Sequence, residues 1–148
     1  MEANNSSTVE LRLPSRLGYE KVAMNTAASV ARLMGFSEDR IEDLKTAVAE
    51  ACINSMEHGH KLDESLKVEV ILSITDNSLE VKVCDEGPGV QGKVPVPNLE
   101  LKMSGEESPR GMGMFLIKSL VDEAEWISSG PNGSCARLVI HLHKPEEE

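Results

Sequence analysis

Leu44-Lys-Thr-Ala-Val-Ala-Glu-Ala-Cys-Ile-Asn-Ser-Met-Glu-His-Gly59 is the run whose periodicity sets the reading of the whole chain. Within it and just before it, Ile41, Leu44, Val48, Cys52 and Ser55 recur at three- and four-residue steps. That spacing lays one apolar or small stripe along a helix, and the stripe faces a core. At about 100° per residue, Glu50 and Asn54 fall off the stripe, one turn apart on a neighbouring face. Asn is a poor helix-interior residue because its amide competes for backbone hydrogen bonds, so its place there asks for a reason. Taken alone, the pair also reads as a solvated polar face.

Upstream, Val9, Leu11 and Leu13 alternate with Glu10 and Arg12 as a short strand that Pro14 ends. Val22, Ala23, Ala27, Val30 and Leu33 suggest a helix from about Gly18 to Met34, with Gly35 as its C-cap. Ser37 offers an N-cap to the central helix, and Glu38 and Asp39 suit its positive dipole end. That helix should stop near Gly59. Downstream, Val68, Val70, Leu72, Ile74 and then Leu79, Val81, Val83 alternate around Asp76-Asn77, which predicts a hairpin. Alternation in both strands implies a largely antiparallel sheet with one buried face. From Gly89 to about Ser108 no periodicity survives, as in a functional lid or a disordered loop. A helix from Gly111 through Leu120, a strand near Trp126, a turn ending at Gly133 and a strand from Cys135 to Leu142 close the chain.

The 148 residues suit one domain, expected over 8–143 with flexible tails at 1–7 and 144–148. With 3% aromatic residues, the core must be Leu, Val, Ile, Ala and Met. A formal net charge of −10 and no basic stripe argue against nucleic-acid binding, which phosphate neutralisation drives. No run approaches membrane-spanning length and the N-terminus lacks a signal pattern, so no membrane association and a cytoplasmic location are expected. Cys52, Cys84 and Cys135, odd in number and set in apolar segments, read as reduced core residues.

Two glycine-containing loops frame the aperiodic segment. Asp85-Glu-Gly-Pro-Gly89 follows a strand; an ionised carboxylate there can accept an N–H from a ligand, and glycines let a planar ring approach the backbone. By itself this loop also reads as a plain turn. Ser108-Pro-Arg-Gly-Met-Gly-Met-Phe-Leu116 opens a helix on a glycine pair, where free N–H groups, the helix dipole and Arg110 suit an anion. It is neither a dinucleotide fingerprint nor a P-loop, since the third glycine and the Gly-Lys-Ser/Thr are missing. The histidine pairs His58/His60 and His141/His143 lack nearby cysteines and are not read as metal ligands.

In order, Glu50-x-x-x-Asn54-x-x-x-His58-Gly59, Asp85-x-Gly87-x-Gly89 and Gly111-x-Gly113 resemble the N box and two glycine boxes of the Bergerat-fold ATPases. Those include the gyrase B subunit, histidine kinases and the mismatch-repair ATPase. Small size and the run Glu42-Asp-Leu-Lys-Thr-Ala-Val-Ala-Glu-Ala-Cys-Ile-Asn54 look most like the bacterial anti-sigma-factor serine-protein kinases. The resemblance implies an α+β fold: a two-layer sandwich, with a mostly antiparallel sheet covered on one face by three helices.

The same resemblance implies ATP and Mg²⁺ as cofactors, with Asn54 on the metal and Asp85 accepting from the adenine amino group. Gly87, Gly89, Gly111 and Gly113 match the glycines that shape the nucleotide loops, and His58, Arg110, Met112 and Met114 fall in the nucleotide-contacting boxes. Ser134 stands where the family has a threonine and keeps its hydroxyl. Glu50 matches the acid proposed as general base. The implied activity is phosphorylation of a serine on an anti-anti-sigma factor by a protein that also binds a sigma factor, as a homodimer. The alternatives are a non-catalytic ATP-binding partner switch and a detached histidine-kinase catalytic domain.

Overall fold

The computed structural model describes residues 7–59, 66–85, 109–128 and 134–142. Five strands, β1 (Ser7–Pro14), β2 (Lys67–Ile74), β3 (Ser78–Asp85), β4 (Glu123–Ser128) and β5 (Ser134–His141), form one sheet in the order β1-β2-β3-β5-β4. Every neighbouring pair is antiparallel. Among the described residues three α-helices accompany it: α1 (Glu20–Met34), α2 (Glu38–Asn54) and α3 (Pro109–Leu120). The architecture is the two-layer α+β sandwich that the resemblance implies, with the antiparallel sheet expected from the alternating strands.

The sheet alternates as a half-buried surface should. Val68, Val70 and Leu72 of β2 and Leu79, Val81 and Val83 of β3 are buried, while Glu69, Glu80 and Lys82 turn to the other face. Against the buried face lie Ile41, Leu44, Val48 and Cys52 of α2, all at most 1% exposed. Burying each Val, Leu or Ile removes enough apolar surface from water to contribute about 1.5–3 kcal/mol. The central helix is therefore the spine of the core.

Local signals end the helices where the side chains require it. Gly35 caps α1 at φ +100°, a left-handed conformation that favours glycine, and its N–H reaches the Ala31 and Arg32 carbonyls. The Ser37 hydroxyl accepts the Arg40 N–H at 3.3 Å and starts α2. Arg40 then reaches across the fold: its Nη2 donates to Asp122 Oδ2 at 2.8 Å and to the His141 carbonyl at 3.1 Å. Asp122 Oδ2 also accepts the His141 N–H at 2.7 Å, so this clasp ties the start of α2 to both ends of the β4–β5 hairpin.

Three expectations need correction. On α1, Val22 is 43% and Leu33 88% exposed; the buried stripe is Ala23, Ala27, Ala28, Val30 and Ala31. Small residues face α2 because two helices then approach closely, which leaves the larger neighbours outside. On the sheet, Cys84 and Cys135 are joined as a disulfide rather than reduced. They lie 51 residues apart, but β5 returns beside β3 with these two residues directly opposite. Cys52 alone is a free, buried thiol. The third correction, at Ser55, belongs to the site.

Candidate functional site

At its C-terminal end α2 passes into a π-helical turn, Ser55–Gly59, instead of stopping. Such a turn inserts a residue into the helical ladder and re-aims the side chains that follow it. Ser55, expected on the core stripe, is turned toward β3, where its hydroxyl donates to Asp85 Oδ1. The other carboxylate oxygen, Oδ2, accepts from the Ser134 hydroxyl at 3.2 Å. Asp85 is thus held on both oxygens by neutral hydroxyls, one from the helical layer and one from β5. An ionised carboxylate has about four lone-pair sites, so this leaves acceptor capacity for an incoming N–H donor.

Asp85 lines an open pocket together with Ala51, Asn54, Ser55, Val83, Trp126, Ser134, Cys135 and Ala136. Its sides are α2, the ends of β3 and β5, and β4. Ala51 and Val83 give it an apolar wall, and Trp126 adds a partly buried aromatic surface. A flat heteroaromatic ring with one exocyclic donor suits such a lining, because apolar walls take the ring and the carboxylate fixes its orientation.

Glu50 and Asn54, one turn apart, converge on α3. A Cβ placed on Gly113 would lie 2.5 Å from Glu50 Oε2 and 3.0 Å from Asn54 Nδ2. A side chain at 113 would make the Glu50 carboxylate move aside and the Asn54 amide give slightly, so glycine is what lets α3 come this close to the pair as they stand. The Asn54 amide nitrogen is buried and has no hydrogen-bond partner among the described residues. A buried donor without an acceptor costs about 1–3 kcal/mol, and a phosphate oxygen would satisfy it. The amide carbonyl of the same side chain is a hard oxygen of the kind Mg²⁺ takes singly alongside phosphates and water. These residues fit a magnesium–triphosphate group at this end of the pocket. Among the described residues no group of three or more His, Cys, Asp or Glu could hold a metal by itself.

The expected site residues divide as follows. Glu50, Asn54 and Gly113 meet at one place, and Asp85 and Ser134 meet at another, with the pocket touching both. Met114 follows Gly113 on α3 and is half-buried. Arg110, Gly111 and Met112 lie in the first turns of α3, and His58 lies in the π-helical turn. The side chains of these four fall outside the described residues, as do Gly87, Gly89, the segment 90–108, His60 and His143. The His141 ring is engaged by Ser78 Oγ at 2.8 Å and Glu123 Oε2 at 2.9 Å. Ser55 and Trp126 were not expected in the site. Nothing in a helical period marks a π-helical insertion, and Trp126 reaches the pocket only because β4 pairs with β5.

A pocket lined by Asp85 and Asn54, with Glu50 beside Asn54 under a helical glycine, points to the class of ATPase domains. The chain belongs to the histidine kinase-like ATPase domain family, whose model matches residues 13–140. It is similar to the serine-protein kinase RsbW of Bacillus subtilis, 33% identical over 124 residues, covering 81% of this chain and 78% of that protein. The RsbW of Bacillus licheniformis is 32% identical over 136 residues, covering 88% and 85%. Among solved structures, the RsbU and RsbW domains of a Mycobacterium tuberculosis protein align with a TM-score of 0.66 at 19% identity. That alignment covers 94% of this chain and 33% of the longer one, and it supports the fold alone. No helix of the described residues is long and apolar enough to cross a membrane.

Proposed function

We propose that the chain is an ATP-dependent serine/threonine-protein kinase that acts as an anti-sigma factor in the bacterial cytoplasm. It binds a sigma factor, phosphorylates a serine on an anti-anti-sigma antagonist, and works as a homodimer with Mg²⁺. The observation that carries this reading is the convergence of Glu50 and Asn54 on Gly113, with Asn54 lining the same pocket as Asp85. The relatives named serine-protein kinase RsbW support the choice of serine as acceptor.

In this reading Asp85 accepts from the adenine amino group while Ser55 and Ser134 keep its carboxylate aimed. Asn54 would hold the metal through its carbonyl, and its buried amide nitrogen, which has no partner among the described residues, would donate to phosphate. Magnesium, when bound, neutralises charge on the phosphates. Glu50 accepts the proton of the attacking serine hydroxyl, for which its carboxylate stands beside the metal-holding asparagine.

Transfer of labelled γ-phosphate to a captured partner tests this reading. Label should appear on a partner serine, and Glu50→Gln should slow transfer by about 10²–10⁴-fold, because the amide keeps the shape but is no base. Nucleotide affinity should change far less. Label on a histidine would instead indicate a histidine-kinase domain, and no label with intact ATP binding a non-catalytic switch.

A further inference from the structure

The Cys84–Cys135 disulfide borders the recognition end of the pocket, whose lining includes Cys135. The β3–β5 register runs from Ser78 opposite His141 to Cys84 opposite Cys135, so the disulfide is the last rung of that ladder. The next residue along β3 is Asp85 and the preceding residue of β5 is Ser134, the two that hydrogen-bond to each other. Alternation places Cys84 with Glu80 and Lys82, and Cys135 with Arg137, on the face turned away from the buried core. Both cysteines are half-buried there, within reach of a solvent-borne thiol. Cys52 differs: burial pushes its thiol up to about 12, which keeps it out of exchange.

We propose that Cys84 and Cys135 form a reversible thiol–disulfide site whose redox state sets the pocket's affinity for its nucleotide. This rests on the nucleotide reading given above. A dithiol reductant attacks one sulfur as thiolate, forming a mixed disulfide and releasing the other cysteine. Its second thiol then displaces the remaining cysteine, so the reductant leaves as a disulfide and two electrons and two protons end on Cys84 and Cys135. Oxidised glutathione reverses the exchange and leaves as two thiols. With the bond intact, the ends of β3 and β5 are covalently held and the Asp85–Ser134 contact is preformed. With it broken, that contact depends on the strand ends alone, and the pocket must be ordered as the nucleotide binds.

The test uses the full chain, reduced with dithiothreitol or oxidised with oxidised glutathione, its state verified by the mass added on thiol alkylation. MgADP is the calorimetric probe, and hydrogen exchange is followed over residues 83–85 and 134–137. Oxidised protein should bind MgADP about 5–150-fold more tightly, and by linkage MgADP should disfavour reduction by the same factor. Exchange over both segments should be faster in reduced protein. Cys84→Ser, Cys135→Ser and the double variant should all match the reduced form under either condition. Equal affinities and equal exchange in the two states would overturn the proposal, as would oxidised-like affinity in the double variant. A redox-dependent exchange rate with no MgADP binding in either state would uphold the clamp on the strand ends and overturn its coupling to a nucleotide, and with it the nucleotide reading.

Discussion

Gly113 shows most clearly how one residue position constrains the chemistry. Gly113→Ala places a methyl 2.5 Å from Glu50 Oε2, a separation that a real Cβ does not tolerate, so the carboxylate must move. Displacing a reacting group by about 1 Å costs roughly 10²-fold in rate, and phosphotransfer by the variant should fall on that scale. Stability should change little, because alanine is favoured over glycine inside a helix by about 1 kcal/mol and offsets the contact. Kinetics and thermal melts on the same preparation check both halves. Ser55→Ala removes one of the two hydroxyls on Asp85 and should weaken nucleotide affinity about fivefold to tenfold, one hydrogen bond being worth about 1 kcal/mol. At this scale the sequence was partly legible. Asn54 stood out because asparagine is a poor helix-interior residue, and Glu50 one turn before it gained a role only from the resemblance. Ser55 did not, since its three-residue step from Cys52 is what a core position shows, and only the π-helical turn takes it elsewhere.

Among the elements, α2 carries both the core and the site, so its stability can be examined apart from catalysis. Ser37→Ala removes the N-cap acceptor and should cost about 1 kcal/mol in urea unfolding, with no change in nucleotide affinity. Cys52 gives the helix a pH dependence. Burial raises its thiol to about 12, above the roughly 8.5 of an unfolded chain. Between those values the unfolded chain releases a proton that the folded chain keeps, so stability falls as pH rises through about 9. The stability difference between the parent and Cys52→Ala should therefore shrink from pH 8 to pH 10, and a constant difference would contradict it. Helices and strands were readable because period and caps are local: Gly35, Ser37 and the Asp76-Asn77 turn act on their neighbours. The disulfide was not readable, because it depends on β5 lying beside β3, and pairing across the sheet leaves no mark on either strand alone.

For the whole molecule, the sandwich brings together three pieces that are distant in sequence: the end of α2, the end of β3 with the start of β5, and the start of α3. That the pocket shared by Asp85 and Asn54, with Glu50 and Gly113 beside Asn54, takes the nucleotide is the central claim. It is tested most directly by calorimetric titration of MgATP into the parent, Asp85→Asn and Asn54→Ala. The parent should bind in a Mg²⁺-dependent way. Asp85→Asn should lose about 1–3 kcal/mol, or roughly 5–150-fold in Kd, because the new amide NH₂ would face the adenine amino group. Asn54→Ala should lose the Mg²⁺ dependence. Parent-like MgATP affinity in Asp85→Asn would contradict the assignment of this pocket to the nucleotide.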